Sequence, residues 1–323
     1  SEDQRAKTPW GANPINYLPT TKFRLTVDSA NFIKTLQHTV DNPALKEIVT
    51  NDSSKERVGS SASSHPKILP YIDWDMGKKG YIMKNDLLIL DILAANNWTR
   101  PVYFAVTVGP DAFVGLEKNF QIEGLAYRLV PYGAQNGQPR VATDIMYDNL
   151  MNKVKWGGLD KDEIWMDENN MHMAMTMRMQ MRTLAMSLIQ EGKKEVALKV
   201  IRKEGEVLPE KNVPYYGNDY INYTYYLIQA FYMADGKEEA IKISKRFFDI
   251  MEEDAEYALS VRKKEAGALQ PYLDNRIEMM QQLISDAHRF GADALAKNLE
   301  ARFKKYEGLI APPQQPQGMP MQK

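Results

Sequence analysis

The clearest hydrophobic pattern in the chain lies between residues 84 and 106. Apolar residues recur there at helical intervals, which predicts a buried helix of about ten residues. Asn85 and Asp86 precede this run, and short polar side chains of this kind cap the first free amides of a helix. The apolar positions are Leu87, Leu90, Ile92, Leu93 and Ala94.

The same stretch contains the signal that ends this helix and starts a strand. Asn96 and Asn97 tolerate the left-handed backbone that ends helices, and Pro101 biases the residue before it toward extended geometry. Residues 102–106, VYFAV, are β-branched and aromatic and are followed by Gly109. They predict a short buried strand.

Shorter patterns fill the rest of the first half. Alternating or β-rich runs predict strands at 23–27, 67–74 and 121–131. Helices are predicted at 28–38, capped by Asp28 or Ser29, and at 111–119. Asp28-Ser29-Ala30 also matches a short acceptor pattern of Bacteroidetes O-glycosylation, although capping by Asp28 is the simpler interpretation. These elements indicate a small mixed sheet with helices packed on it.

From residue 171 the pattern is helical and repetitive. A helix, a glycine turn and a second helix recur 44 positions apart, counted from Gly192 to Gly236. A weaker third pair surrounds Gly291. This arrangement resembles a tetratricopeptide array with a long spacer.

The predicted fold class is therefore α+β, a small mixed α/β sheet domain followed by an all-α TPR-like helical hairpin domain. The predicted organisation has five segments: a linker at 1–22, the α/β domain at 23–138, a connecting segment at 139–170, the helical domain at 171–310 and a disordered tail at 311–323.

Composition excludes several classes of protein. The formal net charge of -1 gives no general attraction to nucleic acid, and the absence of cysteine excludes disulfides and thiolate chemistry. No apolar run reaches the roughly 20 residues that a membrane span needs. The chain opens with SEDQ, without methionine or a signal peptide, and we expect it to be a truncation of a longer protein.

Several blocks of sequence resemble the C-terminal portion of the DUF2723 membrane proteins of Bacteroidetes. The longest is KNDLLILDILAANNWTRPVYFA, from Lys84 to Ala105. The other blocks follow in the same order: EGLAYRLVP at 123–131, MYDNL at 146–150, WGGLD at 156–160 and DENN at 167–170. The resemblance covers roughly residues 20 to 240.

The resemblance carries expectations about function. It implies that the chain follows a polytopic N-terminal half similar to glycosyltransferases that use lipid-linked sugars. The catalytic segment would lie in that half, and this chain would lie on the periplasmic side of the inner membrane. Its expected partners are the membrane-embedded half of the same polypeptide and a protein or glycan acceptor.

Two places in the α/β domain carry candidate binding residues. Asp73 and Asp75 stand two apart on a predicted strand and therefore on one face, where they suit a metal or acid-base pair. A solvated strand end followed by a turn at Gly77 is the simpler explanation. Arg128 and Arg100 are cations that can bind an anionic ligand or pair with a buried carboxylate such as Asp91.

The helical half contributes a tyrosine-rich stretch with six tyrosines between residues 213 and 226. Tyrosine joins a large contact area to a polar tip, so it suits helix packing, a partner groove or sugar stacking alike. The candidate contact residues are Tyr215, Tyr216, Tyr220 and Tyr223.

Metal and catalytic motifs give weaker signals. Alternate methionines from Met171 to Met181 resemble a copper(I) site, but on a helix they point about 200° apart and favour core packing. An acidic cluster from Asp160 to Glu168 lacks the spacing of a calcium loop. The four histidines, His38, His65, His172 and His288, are scattered.

No nucleophile, base and orienting group can be assembled from these motifs. The sequence favours a non-catalytic accessory domain without a cofactor, acting through its helical surface, over a glycan-binding, small-molecule-binding or enzymatic α/β domain.

Overall fold

A computed structural model of the protein describes nine stretches of the chain. They are residues 5–8, 11–16, 20–39, 68–76, 82–132, 139–161, 164–215, 221–262 and 269–309. The chain divides into two compact units, Ser1–Asn149 and Leu150–Lys323, named here the strand unit and the helical unit. The small sheet region followed by helical hairpins that the sequence predicts is confirmed.

The described strands of the strand unit form three small sheets. β1 (Arg5–Thr8) pairs with β2 (Gly11–Asn16), and β3 (Lys22–Thr26) pairs with β4 (Tyr71–Asp75), both antiparallel. The third sheet has the order β5-β7-β6-β8, with only the β6 and β8 pair parallel. Its strands are Tyr103–Ala105, Phe120–Ile122, Ala126–Leu129 and Arg140–Val141 for β5 to β8.

Three α-helices accompany these strands in the described residues: α1 (Ser29–Thr39), α2 (Lys84–Asn96) and α3 (Thr143–Asp148), the last followed by a π-helical turn at Asn149–Lys153. The Asp28 carboxylate accepts the Asn31 amide at 2.9 Å, so the predicted cap of α1 is confirmed. α2 ends where predicted, because Asn97 adopts a left-handed backbone with φ 41°.

Aromatic rings fill the core of the strand unit. Phe104 and Phe113 pack on Phe120, and Phe32 packs edge-on against Trp98. The Trp98 indole donates a hydrogen bond to the Thr26 carbonyl at 2.9 Å, so the end of α2 is tied to β3.

The structure corrects three expectations for this unit. Residues 121–131 form two strands, because Gly124 turns the chain with φ 131°. Residues 111–119 form two short 3₁₀ turns, Pro110–Phe113 and Glu117–Asn119. Helix α2 is buried on only one side, since Leu93 is 4% exposed whereas Leu88 is 56% exposed.

Residues 1–22, expected to be an extended linker, contain the hairpin of β1 and β2. The sheet has only two strands, so both are edges and the proline within β2 is tolerated.

The described helices of the helical unit form three antiparallel hairpins. They are α4 (Glu168–Gln190) with α5 (Lys194–Val207), α6 (Ile221–Met233) with α7 (Lys237–Arg262), and α8 (Gln270–Arg289) with α9 (Asp293–Phe303). The first helix of each hairpin also packs on the first helix of the next. No described helix has both the length and the apolar composition that a bilayer crossing requires.

The glycines at the hairpin turns serve two purposes. Gly192 and Gly291 adopt left-handed backbones, with φ 77° and 68°. At the second turn Asp235 takes the left-handed conformation instead, with φ 63°. Gly236 is needed for space, because an added Cβ would lie 2.7 Å from Leu198 Cδ1.

Candidate functional site

The candidate site lies in the helical unit around two arginines of α4. Arg178 and Arg182 are four residues apart, so both lie on one face of the helix. Opposite them, α5 carries an apolar stripe in which Glu204 replaces a hydrophobic residue. The other members of this stripe are Ala197, Val200, Ile201 and Val207. A carboxylate in a buried stripe needs a cation or hydrogen-bond donors, or it takes up a proton.

Arg178 and Glu204 form a buried ion pair. Their side chains are 2% and 1% exposed, and the Arg178 Nε lies 3.0 Å from the Glu204 Oε1. Burial raises the pKa of Glu204 to about 7, although the attraction of Arg178 opposes the shift. The carboxylate therefore takes up a proton at a higher pH than an exposed glutamate does.

The same arginine holds the loop that follows α5. One terminal nitrogen of Arg178 donates hydrogen bonds to the main-chain carbonyls of Leu208 at 2.7 Å and Val213 at 3.1 Å. The guanidinium also lies over the Tyr215 ring, 5.2 Å from its centroid. Burial raises the pKa of Tyr215 to about 12. Arg178 thus positions the start of the tyrosine-rich stretch.

Arg182 forms the outer part of the site. Its guanidinium carbon lies 4.6 Å from the centroid of the Tyr226 ring and 5.7 Å from that of Tyr223. Tyr226 is 45% exposed, and Arg182 is half-buried. Burial lowers the pKa of Arg182. Within the part of the chain that the structure describes, its buried Nη1 has no hydrogen-bond acceptor.

These residues form a tyrosine–arginine cluster consisting of Arg178, Arg182, Glu204, Tyr215, Tyr223 and Tyr226. An arginine stacked on tyrosine rings is a planar donor that suits a carboxylate. The exposed ring of Tyr226 offers apolar contact area beside it. The cluster combines a charged anchor with an aromatic surface, the chemistry that protein-binding sites favour. It contains no arrangement of nucleophile and base.

The sequence predicted only part of this cluster. Tyr215 and Tyr223 are in it, whereas Tyr216 and Tyr220 lie outside the described residues. Sequence reasoning missed Arg178, Arg182 and Glu204. The signal that could have found them is the acidic residue within the apolar stripe of α5, together with two arginines four apart on the preceding helix.

Asp73 and Asp75 lie on β4, on one face as predicted, but each is opposite a cation. Arg24 is the register partner of Asp73, and Lys22 is the register partner of Asp75. The Arg24 Nε lies 2.6 Å from the Asp73 Oδ1, and this exposed pair lowers the pKa of Asp73. The geometry favours a solvated strand end over a metal site.

The same strands border an open groove of about 1160 Å³. Its wall includes Phe23 and Trp74, whose half-buried rings stack with centroids 5.5 Å apart. At this groove Gly115 packs closely on β4, because an added Cβ would lie 3.0 Å from the Asp75 carbonyl oxygen. Charged side chains surround this aromatic wall, among them Lys22, Asp111, Glu117 and Lys118.

Arg128 is fully buried in the core of the strand unit, so it is not placed for an external ligand. It donates a hydrogen bond to Thr35 Oγ1 at 2.8 Å and lies 3.7 Å from Glu123 Oε1. The suggested pairing with Asp91 is wrong, because Asp91 lies on the exposed side of α2. Arg100 is also exposed.

The structure does not assemble the metal sites considered from sequence. Met175 and Met181 are buried in the core while Met173 is 45% exposed, so the methionines point in different directions around α4. Asp167 caps α4 by accepting the Asn170 amide at 2.8 Å. Over the described ranges, no three histidine, aspartate or glutamate side chains converge on one point. Asp162 and Glu163 lie outside those ranges.

The described histidines lie on the surface of the helical unit. The Nε2 of His288 lies 2.8 Å from Glu300 Oε1, and this hydrogen bond raises the pKa of His288. His172 is 3.8 Å from Glu168. Both contacts lie at the exposed surface. The side chains of His38 and His65 lie outside the description.

Comparison with known proteins gives one match. Residues 47–148 match the model of a family described as TMEM260-associated domain 2. This range includes α2, α3 and strands β4 to β8, and none of the helical unit. No curated protein and no solved structure matches the chain.

Proposed function

We propose that this chain is a non-catalytic accessory part of a polytopic, glycosyltransferase-like membrane protein, and that its helical unit binds a protein partner. The blocks that resemble DUF2723 proteins support the membrane setting, and with it a periplasmic location and the membrane-embedded half as a partner. The matched family model covers residues 47–148 and is named for its association with TMEM260. That name is consistent with a membrane protein family.

One observation carries the binding role. The half-buried Arg182 has a buried Nη1 with no acceptor among the described residues, and its guanidinium stacks on the exposed ring of Tyr226. Arg182 forms no ion pair within the described residues, and a partner's carboxylate placed beside the exposed ring of Tyr226 would supply one. The partner we propose is therefore a protein segment that places an aspartate, a glutamate or a C-terminus on Arg182.

A pull-down from an envelope extract tests this role, with bound proteins quantified by mass spectrometry. The wild-type chain is compared with Tyr226→Ser and with the control Tyr257→Ser. Tyr257 is 64% exposed on α7 and lies outside the cluster. We expect at least one protein to be captured by the wild type and the control and to be lost with Tyr226→Ser.

Equal capture by all three chains would contradict binding at the cluster. Turnover of a sugar substrate by the isolated chain would contradict the non-catalytic role. Circular dichroism of each variant separates a lost contact from a lost fold.

A second candidate function is supported by the groove beside Trp74. Stacked aromatic rings with surrounding carboxylates and lysines suit a glycan or another small polar molecule. Saturation-transfer NMR with neutral oligosaccharides checks this candidate, and Trp74→Ala should abolish any transfer. Transfer that persists in Trp74→Ala would exclude the groove as the source.

A further inference from the structure

Helix α2 has an outward face that is unusually apolar for a solvent-exposed helix. Its inner side packs on the core of the strand unit through Leu93 and, in part, through Ile89 and Leu90. On the outer side Leu87 is 50% exposed, Leu88 56% and Ile92 52%. Contiguous exposed apolar side chains of this kind mark interaction surfaces, whereas scattered ones need no explanation.

Two opposite charges frame this face. Lys84 and Asp91 are seven residues apart, close to two helical turns, so they lie along one line on the helix surface. Leu87 and Leu88 lie between them. Within the described residues, neither the Lys84 ammonium nor the Asp91 carboxylate forms an ion pair. The order along the face is thus cation, two leucines, anion.

This order is self-complementary under a two-fold axis. We propose that the outward face of α2 binds a second copy of this chain, with the two α2 helices antiparallel. A two-fold axis between Leu87 and Leu88 places Lys84 opposite the partner's Asp91 and Asp91 opposite the partner's Lys84. The same axis brings the leucines of the two copies together. Two reciprocal ion pairs then enclose an apolar centre.

The charges argue against other occupants. A parallel pair would place Lys84 opposite the partner's Lys84 and Asp91 opposite the partner's Asp91, which is repulsive. A bilayer or a purely apolar groove would bury the Asp91 carboxylate without a cation, at considerable cost. Of the two ways to pair two copies of α2, the antiparallel one satisfies both charges and covers the leucines.

The size of the surface sets the strength of the dimer. A helix of 13 residues is about 20 Å long, and one face of it is small compared with stable interfaces of about 800 Å² per partner. We therefore expect a weak dimer whose population rises with protein concentration.

Sedimentation velocity on the full 323-residue chain tests the pairing, across concentrations up to about 1 mM. The single variants Lys84→Glu and Asp91→Lys should each raise the dimer dissociation constant about tenfold, because one substitution makes two pairs repulsive. An equimolar mixture of the two variants should restore dimers, since the two copies are then complementary. The double variant with both substitutions should also dimerise like the wild type.

Several results would overturn the proposal. One is a wild-type chain that stays monomeric at every concentration. Another is a mixture of the single variants that does not associate. Binding of the wild type to phosphatidylcholine vesicles, lost with Leu88→Ser, would assign the face to a membrane instead. Circular dichroism and the thermal midpoint show whether each variant is folded. These variants leave the tyrosine–arginine cluster unchanged, so failure here is independent of the proposed partner binding.

Discussion

Each unit has a buried arginine at its centre, but the two arginines have different partners. In the strand unit, Arg128 contacts side chains, the hydroxyl of Thr35 at 2.8 Å and the carboxylate of Glu123 at 3.7 Å. In the helical unit, Arg178 binds the main-chain carbonyls of Leu208 and Val213 and pairs with Glu204.

Glu123 and Glu204, the carboxylates that pair with these arginines, also have different partners. Glu123 accepts hydrogen bonds from Gln121 Nε2 at 2.8 Å and from the Tyr103 hydroxyl at 3.0 Å. Glu204 accepts none from a neutral donor in the described part of the chain, and burial raises its pKa to about 7. Glu123 thus combines a cation with two neutral donors, whereas in the described residues Glu204 faces only cations, and its raised pKa makes the helical unit sensitive to pH.

The largest effect we expect is from Arg178→Met. This substitution leaves the Glu204 carboxylate buried without its cation. It also removes the hydrogen bonds that Arg178 donates to the Leu208 and Val213 carbonyls. The free energy of unfolding should fall by about 3–5 kcal/mol, measured by urea denaturation. Arg202→Met is the matched control, because Arg202 pairs with Glu239 at the surface and should cost at most about 1 kcal/mol. Equal losses in the two variants would show that Arg178 does not hold the helical unit together.

A pH series tests whether the titration of Glu204 changes the stability of the chain. Glu204 has a pKa of about 7 in the folded chain and an ordinary value of 4.5. Its folded form therefore holds a proton that the unfolded form releases, so its burial penalty is absent below pH 4.5, grows up to pH 7 and is constant above. The penalty amounts to about 3 kcal/mol.

Glu204→Gln removes this titration. Urea denaturation of both chains from pH 4.5 to 8 should show the stability of the wild type falling relative to the variant by about that amount. The other carboxylates contribute equally to the unfolding free energy of both chains, so their contributions cancel in the difference. A difference that does not change with pH would refute the raised pKa.

In the strand unit, Thr35→Val tests whether side-chain donors and acceptors hold Arg128. The hydroxyl that accepts from the Arg128 guanidinium is lost while the side-chain volume is kept, which should cost about 1.5 kcal/mol in unfolding free energy. Thr183→Val is the control, since within the described residues the Thr183 hydroxyl bonds only the Met179 carbonyl of its own helix. A loss of stability no larger than that of the control would show that the Thr35 hydroxyl does not stabilise the buried Arg128.

The smallest effect belongs to Asp73→Asn. The pair of Asp73 with Arg24 lies at the surface, with side chains 50% and 59% exposed, so solvent and salt screen it. We expect a thermal midpoint within experimental error of the wild type in both low and high salt. A clear decrease would mean that Asp73 supports the strand unit in a way that its surface pair does not explain.

Local signals in the sequence predicted much of the fold. The cap at Asp28, the left-handed turn at Asn97 and the hairpin turns at Gly192 and Gly291 each depend on a few neighbouring residues. Such preferences act before any tertiary contact forms. The outward face of α2 was mispredicted because the helix is apolar on both sides, and periodicity then does not identify the buried one.

The arrangement of the candidate site depends on tertiary contacts that the sequence pattern does not reveal. The tyrosine-rich stretch drew attention to Tyr215 and Tyr223, but their positions are set by Arg178 and Arg182 on a helix more than 30 residues earlier. Arg128 was predicted either to bind an anionic ligand or to pair with a buried carboxylate such as Asp91, and the structure pairs it with Glu123. That partner, Glu123, is five residues away along the chain and close only because Gly124 turns β6 back on β7.

The most direct test of the proposed binding role is the affinity of a purified captured partner, measured by titration calorimetry. Arg182→Gln removes the charge and the planar fork while keeping a polar side chain in place. We predict that this variant binds at least about tenfold more weakly than the wild type, whereas Tyr257→Ser binds with unchanged affinity. Equal affinity of all three chains for the partner would contradict the claim that the tyrosine–arginine cluster is the binding site.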